Sequence, residues 1–598
     1  MNPAALPERD IDRVLARWVR ERSGSELLAR VAAVLNLSEA QGHVCCALDT
    51  DAGLTTAQVD ELRGHAWVGD GGAFSPFVLD DDANLYTWRN WRHETRLAQA
   101  LRARAQRRRL PLDASTLATD VNGLFAGMGA QATRWQRAAV AAVPGARMFV
   151  LTGGPGTGKT TTALRMLLML LRHASACGLP ESPTVALAAP TGKAAQRLAQ
   201  SIRGGVEYLR SRLAPDCAFA AGLERMATVQ AQTLHRLLGF AQHNGDFRHN
   251  ADAPLAADVV IVDEASMIDL AILRQLFDAL RPHAVLILLG DPGQLYSVEA
   301  GCVLGDITSS VAENAMPPEL AQHLAGVLDA LPVATASPSP LAGQVFTLTH
   351  TFRAGSGLHA ALAALRSGDA AWSERVIQSG ADGNLGWRAC EDTAALAASV
   401  AQWLDAHADT FARTLQPGGT PQDALEALSA AQILCALREG PFGAEGINAL
   451  LTRHLAARFG FDAGQTWHHG RPVVVTHNDY ARGLYNGDVG IALMEGNHLR
   501  VWFDTGAASG PRSFSPRTLP AHETAWAITI HRSQGSEYAD VAVVLPPDAE
   551  HRILSRELVY TAVSRARDNA QIWASAAALR AAVAQPVLRR SGLRRRLG

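Results

Sequence analysis

The stretch Gly153-Gly154-Pro155-Gly156-Thr157-Gly158-Lys159-Thr160 constrains this chain more than any other. It follows the pattern Gly, four residues, Gly-Lys-Thr without a mismatch. An apolar strand-like run, Arg147 to Thr152, precedes it. A helical pattern from Thr161 to Leu171 follows, with Leu164, Leu167, Leu168 and Leu171 on one face. A strand, a glycine turn and a helix N-terminus aim backbone N–H groups at one point, where an anion is favoured. The pattern predicts that Gly153 through Thr161 cradle the phosphates of ATP. Lys159 would reach the β- and γ-phosphates, and the Thr160 hydroxyl would ligate Mg²⁺. The competing account is a local glycine turn, which the strand and helix in register on either side disfavour.

Only two of the 55 Lys and Arg residues are lysine, Lys159 and Lys193. Arginine stands almost everywhere a cation is wanted. A compact ammonium is not replaceable by a guanidinium among phosphates. Both lysines are therefore candidate sites of lysine-specific chemistry.

A chain of 598 residues exceeds one core, so two to four domains are expected. The net charge of −2 provides no global attraction for polyanions, so nucleic-acid binding must come from local patches. The seven cysteines have no metal-ligand spacing and read as thiols of a reducing cytoplasm. The first ten residues lack the basic start and apolar run of a secretory signal. No segment offers the roughly 18 uncharged apolar residues of a membrane span.

Residues 1–110 read as a separate, mostly helical unit without a catalytic constellation, suited to docking on a partner. Its basic end, Arg102, Arg104, Arg107, Arg108 and Arg109, reads as a solvated helix end, with DNA contact as the alternative. From Thr133 strand–helix alternation begins. Gln136 precedes the phosphate loop, and its amide suits the edge of adenine; alone it would be an ordinary surface glutamine. The strand Val185–Ala189 leads into Pro190-Thr191-Gly192-Lys193, on the ligand side of a parallel sheet. Thr228 and Thr233-Leu234-His235 lie on a similar approach. Hydroxyls, backbone N–H groups and one cation fit contact with a DNA backbone without sequence reading. For each of these, a local cap or turn is the alternative.

Val259-Val260-Ile261-Val262 reads as a buried parallel strand ending in Asp263 and Glu264. Asp263 would hold the Mg²⁺ shell, and Glu264 would orient or deprotonate the attacking water. A further strand, Val285 to Leu289, leads to Gln294, placed to sense the γ-phosphate. The Pro/Ser-rich stretch 331–343 reads as a loop. The strand Val345–Thr349 then leads to Arg353, a candidate phosphate contact across a cleft.

Together these motifs resemble the RecD family, the alpha subunit of exodeoxyribonuclease V, within the superfamily-one helicases. The resemblance continues through Arg471 to Tyr480, Tyr485 to Gly490, Ala525 to Glu537 and Tyr560 to Arg567. It covers motor motifs from about 130 to 570, and the N-terminal Gly42-His43-Val44-Cys45 and Trp91-Arg92-His93-Glu94 look like the family too. Tyr296, after Gln294-Leu295, departs from the smaller residue usual there. The resemblance implies two RecA-like P-loop motor domains with parallel sheets, at 111–350 and 351–598. It also implies a small SH3-like β insertion at about 465–520. Arg565 becomes the arginine finger, and Lys159, Glu264, Gln294, Arg353 and Arg565 the catalytic set. Thr191, Lys193, His235, Thr529, His531, Ser533 and Gln534 become DNA contacts. The implied function is an ATP-dependent 5′→3′ DNA helicase working with RecB and RecC. The alternative is a stand-alone RecD-like helicase; such proteins carry a longer N-terminal region with helix-hairpin-helix repeats, which the 110 residues here do not show.

Neither lysine stands two residues after an acid: Thr157-Gly158 precede Lys159, and Thr191-Gly192 precede Lys193. No acid-x-Lys nuclease pattern therefore exists, and no His/Cys/Asp cluster offers another hydrolytic metal site. The purified chain, incubated with labelled linear duplex and single-stranded DNA, Mg²⁺ and ATP, is expected to release no nucleotides. Degradation that persists in a contamination-free preparation would contradict this.

Overall fold

The structure is a computed structural model describing residues 9–108, 112–241, 245–328, 339–352, 356–416, 418–479, 481–504 and 510–598. Two parallel sheets organise it. The first has strand order Val345–Leu348, Met148–Gly153, Val285–Gly290, Val259–Val262, Val185–Ala189, Ala231–Thr233, all parallel. Its central strands are buried along their length because helices cover both faces, and their Val, Ile and Leu content follows from that. The second has order Ala381–Asp382, Leu385–Ala389, Ala566–Ala574, Tyr538–Val544, Ala431–Cys435, Ala527–Thr529, antiparallel only at its first pair. Between Ala431–Cys435 and Ala527–Thr529 the chain leaves to form a five-stranded antiparallel sheet within 472–524. Its own small core gathers Val473, Val475, Ala492, Val501 and Phe503.

The helix after the phosphate loop, Lys159–Arg172, is buried on more than the expected face: every residue from Thr162 to Leu170 is covered. Helices Arg134–Ala142 and Gly192–Arg210 pack against it from other sides.

Residues 10–105 form helices Asp10–Ser23, Glu26–Ala40, Thr56–Arg63 and Trp88–Ala105 around a small four-stranded sheet. This unit is not detached from the motor. Leu97, Ala98 and Leu101 of the last helix share one core with Met148, Val150 and Val260 of the first motor sheet. The basic run also departs from a solvated helix end. Arg104 is buried and donates to the carbonyls of Ala284 at 2.8 Å and Arg281 at 2.8 Å; Arg107 donates to Gly343 and Ala142, and Arg108 to Cys177. A guanidinium carries five donors, enough to bind several loop and helix-end carbonyls at once. These three arginines therefore act as staples, leaving them unavailable to DNA. Arg109 and residues 331–338 lie outside the described residues.

The other basic run, at the C-terminus, folds back across the molecule. Arg589 donates to the carbonyls of Glu299 and Gly301 in the first motor. Arg590 pairs with Asp51, Arg595 with Asp80, and Arg596 with fully buried Glu94, its guanidinium 4.1 Å from the Trp91 ring centre. Leu593 and Leu597 are both 0% exposed in the core shared by the N-terminal unit and the first motor. Truncating a buried leucine removes apolar contact and leaves a cavity. Leu593→Ala is expected to cost about 2–5 kcal/mol, read as a lower denaturant midpoint for the N-terminal half; an unchanged midpoint would show that the tail is not docked.

Candidate nucleotide-hydrolysis site

Strand Met148–Gly153 delivers the phosphate loop to the C-terminal edge of the first sheet. Gly153 is required by space: an added Cβ would stand 2.6 Å from Thr157 Oγ1 and 2.9 Å from the Leu348 carbonyl. Gly158, at φ 81°, caps the helix that starts at Lys159 in a left-handed conformation that favours glycine. Thr157 Oγ1 donates to the Gly154 carbonyl at 2.9 Å, and Thr161 Oγ1 to the Gly158 carbonyl at 2.9 Å. The Lys159 ammonium is held over the loop by the carbonyls of Gly153 at 2.7 Å and Gly154 at 3.1 Å. Gln136 is buried and donates to the Thr157 carbonyl at 3.1 Å, so it is built into the loop's support.

A cavity of about 330 Å³ opens at this loop. Lys159, Thr160, Asp263, Glu264, Gln294 and Arg565 all line it, so the structure brings the separated motifs to one place. Asp263 ends strand Val259–Val262, and its Oδ1 accepts the Glu264 N–H at 2.8 Å. Burial and the neighbouring Glu264 push the Asp263 carboxyl up to about 6, against the pull of Lys159 and Arg197. Glu264 has φ 53°, a left-handed conformation that a non-glycine residue adopts at a cost and that commonly marks a functional position. Thr160 and Asp263 offer a hydroxyl and a carboxylate, hard oxygen donors that suit Mg²⁺. Among the described residues no cluster of three or more His, Cys, Asp or Glu gathers, so this pair fits an ion held largely by phosphates and water.

Arg565 enters from the second motor. It is 4% exposed, and its Nη2 donates to Gln294 Oε1 of the first motor at 2.8 Å. Nε donates to the Thr561 carbonyl at 3.2 Å, and burial draws the guanidinium pKa down. The same face adds Tyr560, whose hydroxyl donates to Asp291 Oδ2 at 2.8 Å, and Thr561, whose Oγ1 accepts the Leu295 N–H at 2.8 Å. Tyr560, Thr561 and Arg197 were not singled out from sequence; their cross-cleft partners lie hundreds of residues away, and only the position of Tyr560 and Thr561 beside Arg565 hinted at a role. Arg353 lies outside the described residues. The adjoining Phe352 N–H donates to the Gly156 carbonyl at 2.9 Å, so that segment runs along the loop.

Beside the loop lies a second, more apolar cavity of about 480 Å³, bordered by Gln136, Thr161, Phe125, Tyr208 and Phe352. Its aromatic walls were likewise not legible in advance.

The candidate DNA residues fall into two groups. Thr191 caps helix Gly192–Arg210 by accepting the Ala194 N–H, and Lys193 Nζ donates to the Gly487 carbonyl at 3.2 Å, bridging the first motor to the connection between strands Pro472–Val475 and Val489–Glu495 of the antiparallel sheet. His235 and His531 are exposed, and Thr529 is half-buried. Ser533 and Gln534 differ from expectation. Ser533 is 0% exposed with its hydroxyl donated to the Ile530 carbonyl at 2.7 Å, and Gln534 is buried with its amide toward the Leu295 carbonyl. Both side chains build the turn and the cleft, leaving neither facing solvent.

Comparison with known proteins decides the family. The AAA domain profile matches residues 136–300, and the UvrD-like helicase C-terminal domain profile matches 524–572. The chain is 39% identical to the RecBCD enzyme subunit RecD of Mycobacterium tuberculosis, over 87% of this chain and 81% of that one. It is 33% identical to the Haemophilus influenzae subunit, over 85% and 79%. The chain belongs to the RecD family. It is thereby an ATP-dependent DNA helicase of superfamily one, with two RecA-like motor domains. The ATP-dependent RecD2 DNA helicase of Deinococcus radiodurans is 31% identical, over 73% of this chain and 48% of that protein.

Replacing Arg565 by alanine removes a guanidinium that crosses from the second motor to Gln294. ATP binding is expected to survive while turnover at saturating ATP falls at least about 10²-fold, as for other inserted arginines. Lost binding with unchanged saturated turnover would show that the residue serves affinity alone.

Proposed function

We propose that this chain is the 5′→3′ motor subunit of a RecBCD helicase–nuclease, acting with RecB and RecC on DNA ends in the cytoplasm. Its work there is double-strand break repair by recombination and the degradation of linear DNA. The observation that carries the reading is the single cavity shared by Lys159, Thr160, Asp263, Glu264 and Arg565 between two parallel sheets.

In this reading residues 153–161 bind the phosphates and Gln136 lies against the adenine, with Phe125, Tyr208 and Phe352 available as apolar walls. Thr160 and Asp263 would hold Mg²⁺, which would supply charge neutralisation at the phosphates when bound. Glu264 takes a proton from the attacking water, and Gln294 and Arg565 meet the charge that develops at the γ-phosphate. Arg353 is proposed as a further phosphate contact. Arg565 reaches its place only when the second motor closes on the first. Hydrolysis is therefore tied to closure, and the chain works as a motor. Single-stranded DNA would cross both motors over Thr191, Lys193, His235, Thr529 and His531, supported from behind by Ser533 and Gln534.

Residues 1–110, the motor domains at 111–350 and 351–598, and an SH3-like insertion at about 465–520 remain the proposed division. For partner docking the support is a stripe on helix Asp10–Ser23: Ile11, Val14 and Trp18 are 64%, 67% and 51% exposed. A contiguous exposed apolar face of this kind fits a protein partner.

Lys159→Ala is expected to abolish DNA-stimulated ATP hydrolysis and unwinding in a folded protein; turnover at the wild-type rate would remove the site assignment. Because helix Trp88–Ala105 is part of the motor core, docking is best tested on the surface. The double change Val14→Ser, Trp18→Ser is expected to prevent co-purification with RecB and RecC while DNA affinity stays unchanged. Intact assembly with collapsed DNA affinity would overturn the docking role.

A further inference from the structure

The nucleotide cavity contains a cation that belongs to none of the motifs assigned above. Arg197 stands on helix Gly192–Arg210, one turn beyond Lys193, and lines the cavity together with Lys159 and Arg565. It comes from the first motor, yet it reaches the second. Its Nη1 donates to the Gly535 carbonyl at 2.7 Å, and its Nη2 lies 3.4 Å from Glu537 Oε2. Gly535 has φ 72°, a left-handed conformation that favours glycine, and it sits in contact with Ala194 on the same helix as Arg197, where an added Cβ would be 3.5 Å from Ala194 Cβ. The helix that begins at the candidate DNA contacts Thr191 and Lys193 thus touches the turn that follows His531 and Ser533.

The Arg197–Glu537 pair is poised to exchange. The two side chains are 39% and 33% exposed, so water weakens their attraction. A phosphate oxygen in the same cavity carries more charge and accepts a bidentate guanidinium well. Arg565 makes the complementary crossing, from the second motor to Gln294 of the first. The two arginines therefore enter one cavity from opposite sides.

We propose that Arg197 contacts the terminal phosphates of the bound nucleoside triphosphate and, in doing so, releases Glu537, so that nucleotide occupancy is passed to the DNA-facing turn. The proposal rests on the reading that this cavity takes ATP. A ligand shifts an equilibrium only by contacts that differ between the two states. Here the difference is the partner of Arg197: Glu537 and the Gly535 carbonyl in one state, phosphate in the other. The consequence is a dependence of DNA affinity on nucleotide.

The test is fluorescence anisotropy of a labelled oligothymidine bound to the full chain, with and without Mg²⁺ and a non-hydrolysable ATP analogue, alongside steady-state ATP hydrolysis. In the wild type the analogue is expected to change DNA affinity at least about fivefold, and in Arg197→Ala by less than about twofold. Arg197→Lys, a point charge without the fork, is expected to keep part of the effect. Glu537→Gln, which weakens the resting partner, is expected to shrink it. An Arg197→Ala protein with the wild-type ratio overturns the proposal, as does a wild type that hydrolyses ATP with no such ratio. If Arg197→Ala does not fold, Arg197→Lys and Glu537→Gln decide, and wild-type ratios in both overturn it. A wild type that neither binds nor hydrolyses ATP fails the nucleotide reading itself, which separates the two outcomes.

Discussion

One hydrogen bond shows what the whole structure is arranged to control: Arg565 of the second motor donating to Gln294 of the first. A buried guanidinium loses most of its hydration, and burial alone would disfavour its charge. It is tolerated because Thr561, Ser564 and Ser536 supply acceptors within the second motor and Gln294 supplies one across the cleft. Around it, Tyr560 on Asp291 and Thr561 on Leu295 repeat the same crossing. The cleft is therefore closed by directional polar contacts around one apolar one, Leu295 in the core of the second motor, a mainly polar seam whose hydrogen bonds can be exchanged for others. A surface that must open and close in each cycle needs that property.

The parts far from the cleft are joined differently. The N-terminal unit shares leucines with the first motor sheet, and arginines 104, 107 and 108 hold carbonyls on the motor side. The C-terminal tail adds Leu593, Leu597 and the buried Arg596–Glu94 pair. These contacts pack the N-terminal unit and the first motor into one base. The tail starts from the second motor, where the Val587 N–H donates to Glu557, and ends on that base. The second motor is thus tied to that base through the tail as well as through the cleft contacts.

Much of this was legible in the sequence because the relevant signals are local. A strand, glycine turn and helix can be read at Met148 to Arg172, and the apolar strands before Asp263 and after Arg281 stand out from their neighbours. Strand Ala566–Ala574 was not legible, since its first half, Arg567-Asp568-Asn569, is polar and exposed. Arginines defeated local reading more thoroughly. The run at 102–108 looks like a solvated end, yet Arg104, Arg107 and Arg108 are spent on carbonyls brought close only by the fold. Ser533 sits in a motif that suggests DNA, yet its hydroxyl closes the turn. Tyr296, a departure from the family pattern, is half-buried beneath the tail, with Arg589 at 5.9 Å from its ring centre. What a polar side chain does depends on partners distant in sequence, and those partners cannot be read along the chain.

The central claim is that nucleotide binding is a two-sided event across the cleft. Amide hydrogen exchange of the full chain, with and without Mg²⁺ and a non-hydrolysable ATP analogue, tests it directly. The account predicts slower exchange in residues 153–161 and, together with them, in residues 531–537 and 560–565 of the second motor. Protection confined to the first motor, with the second unchanged at saturating analogue, would contradict it.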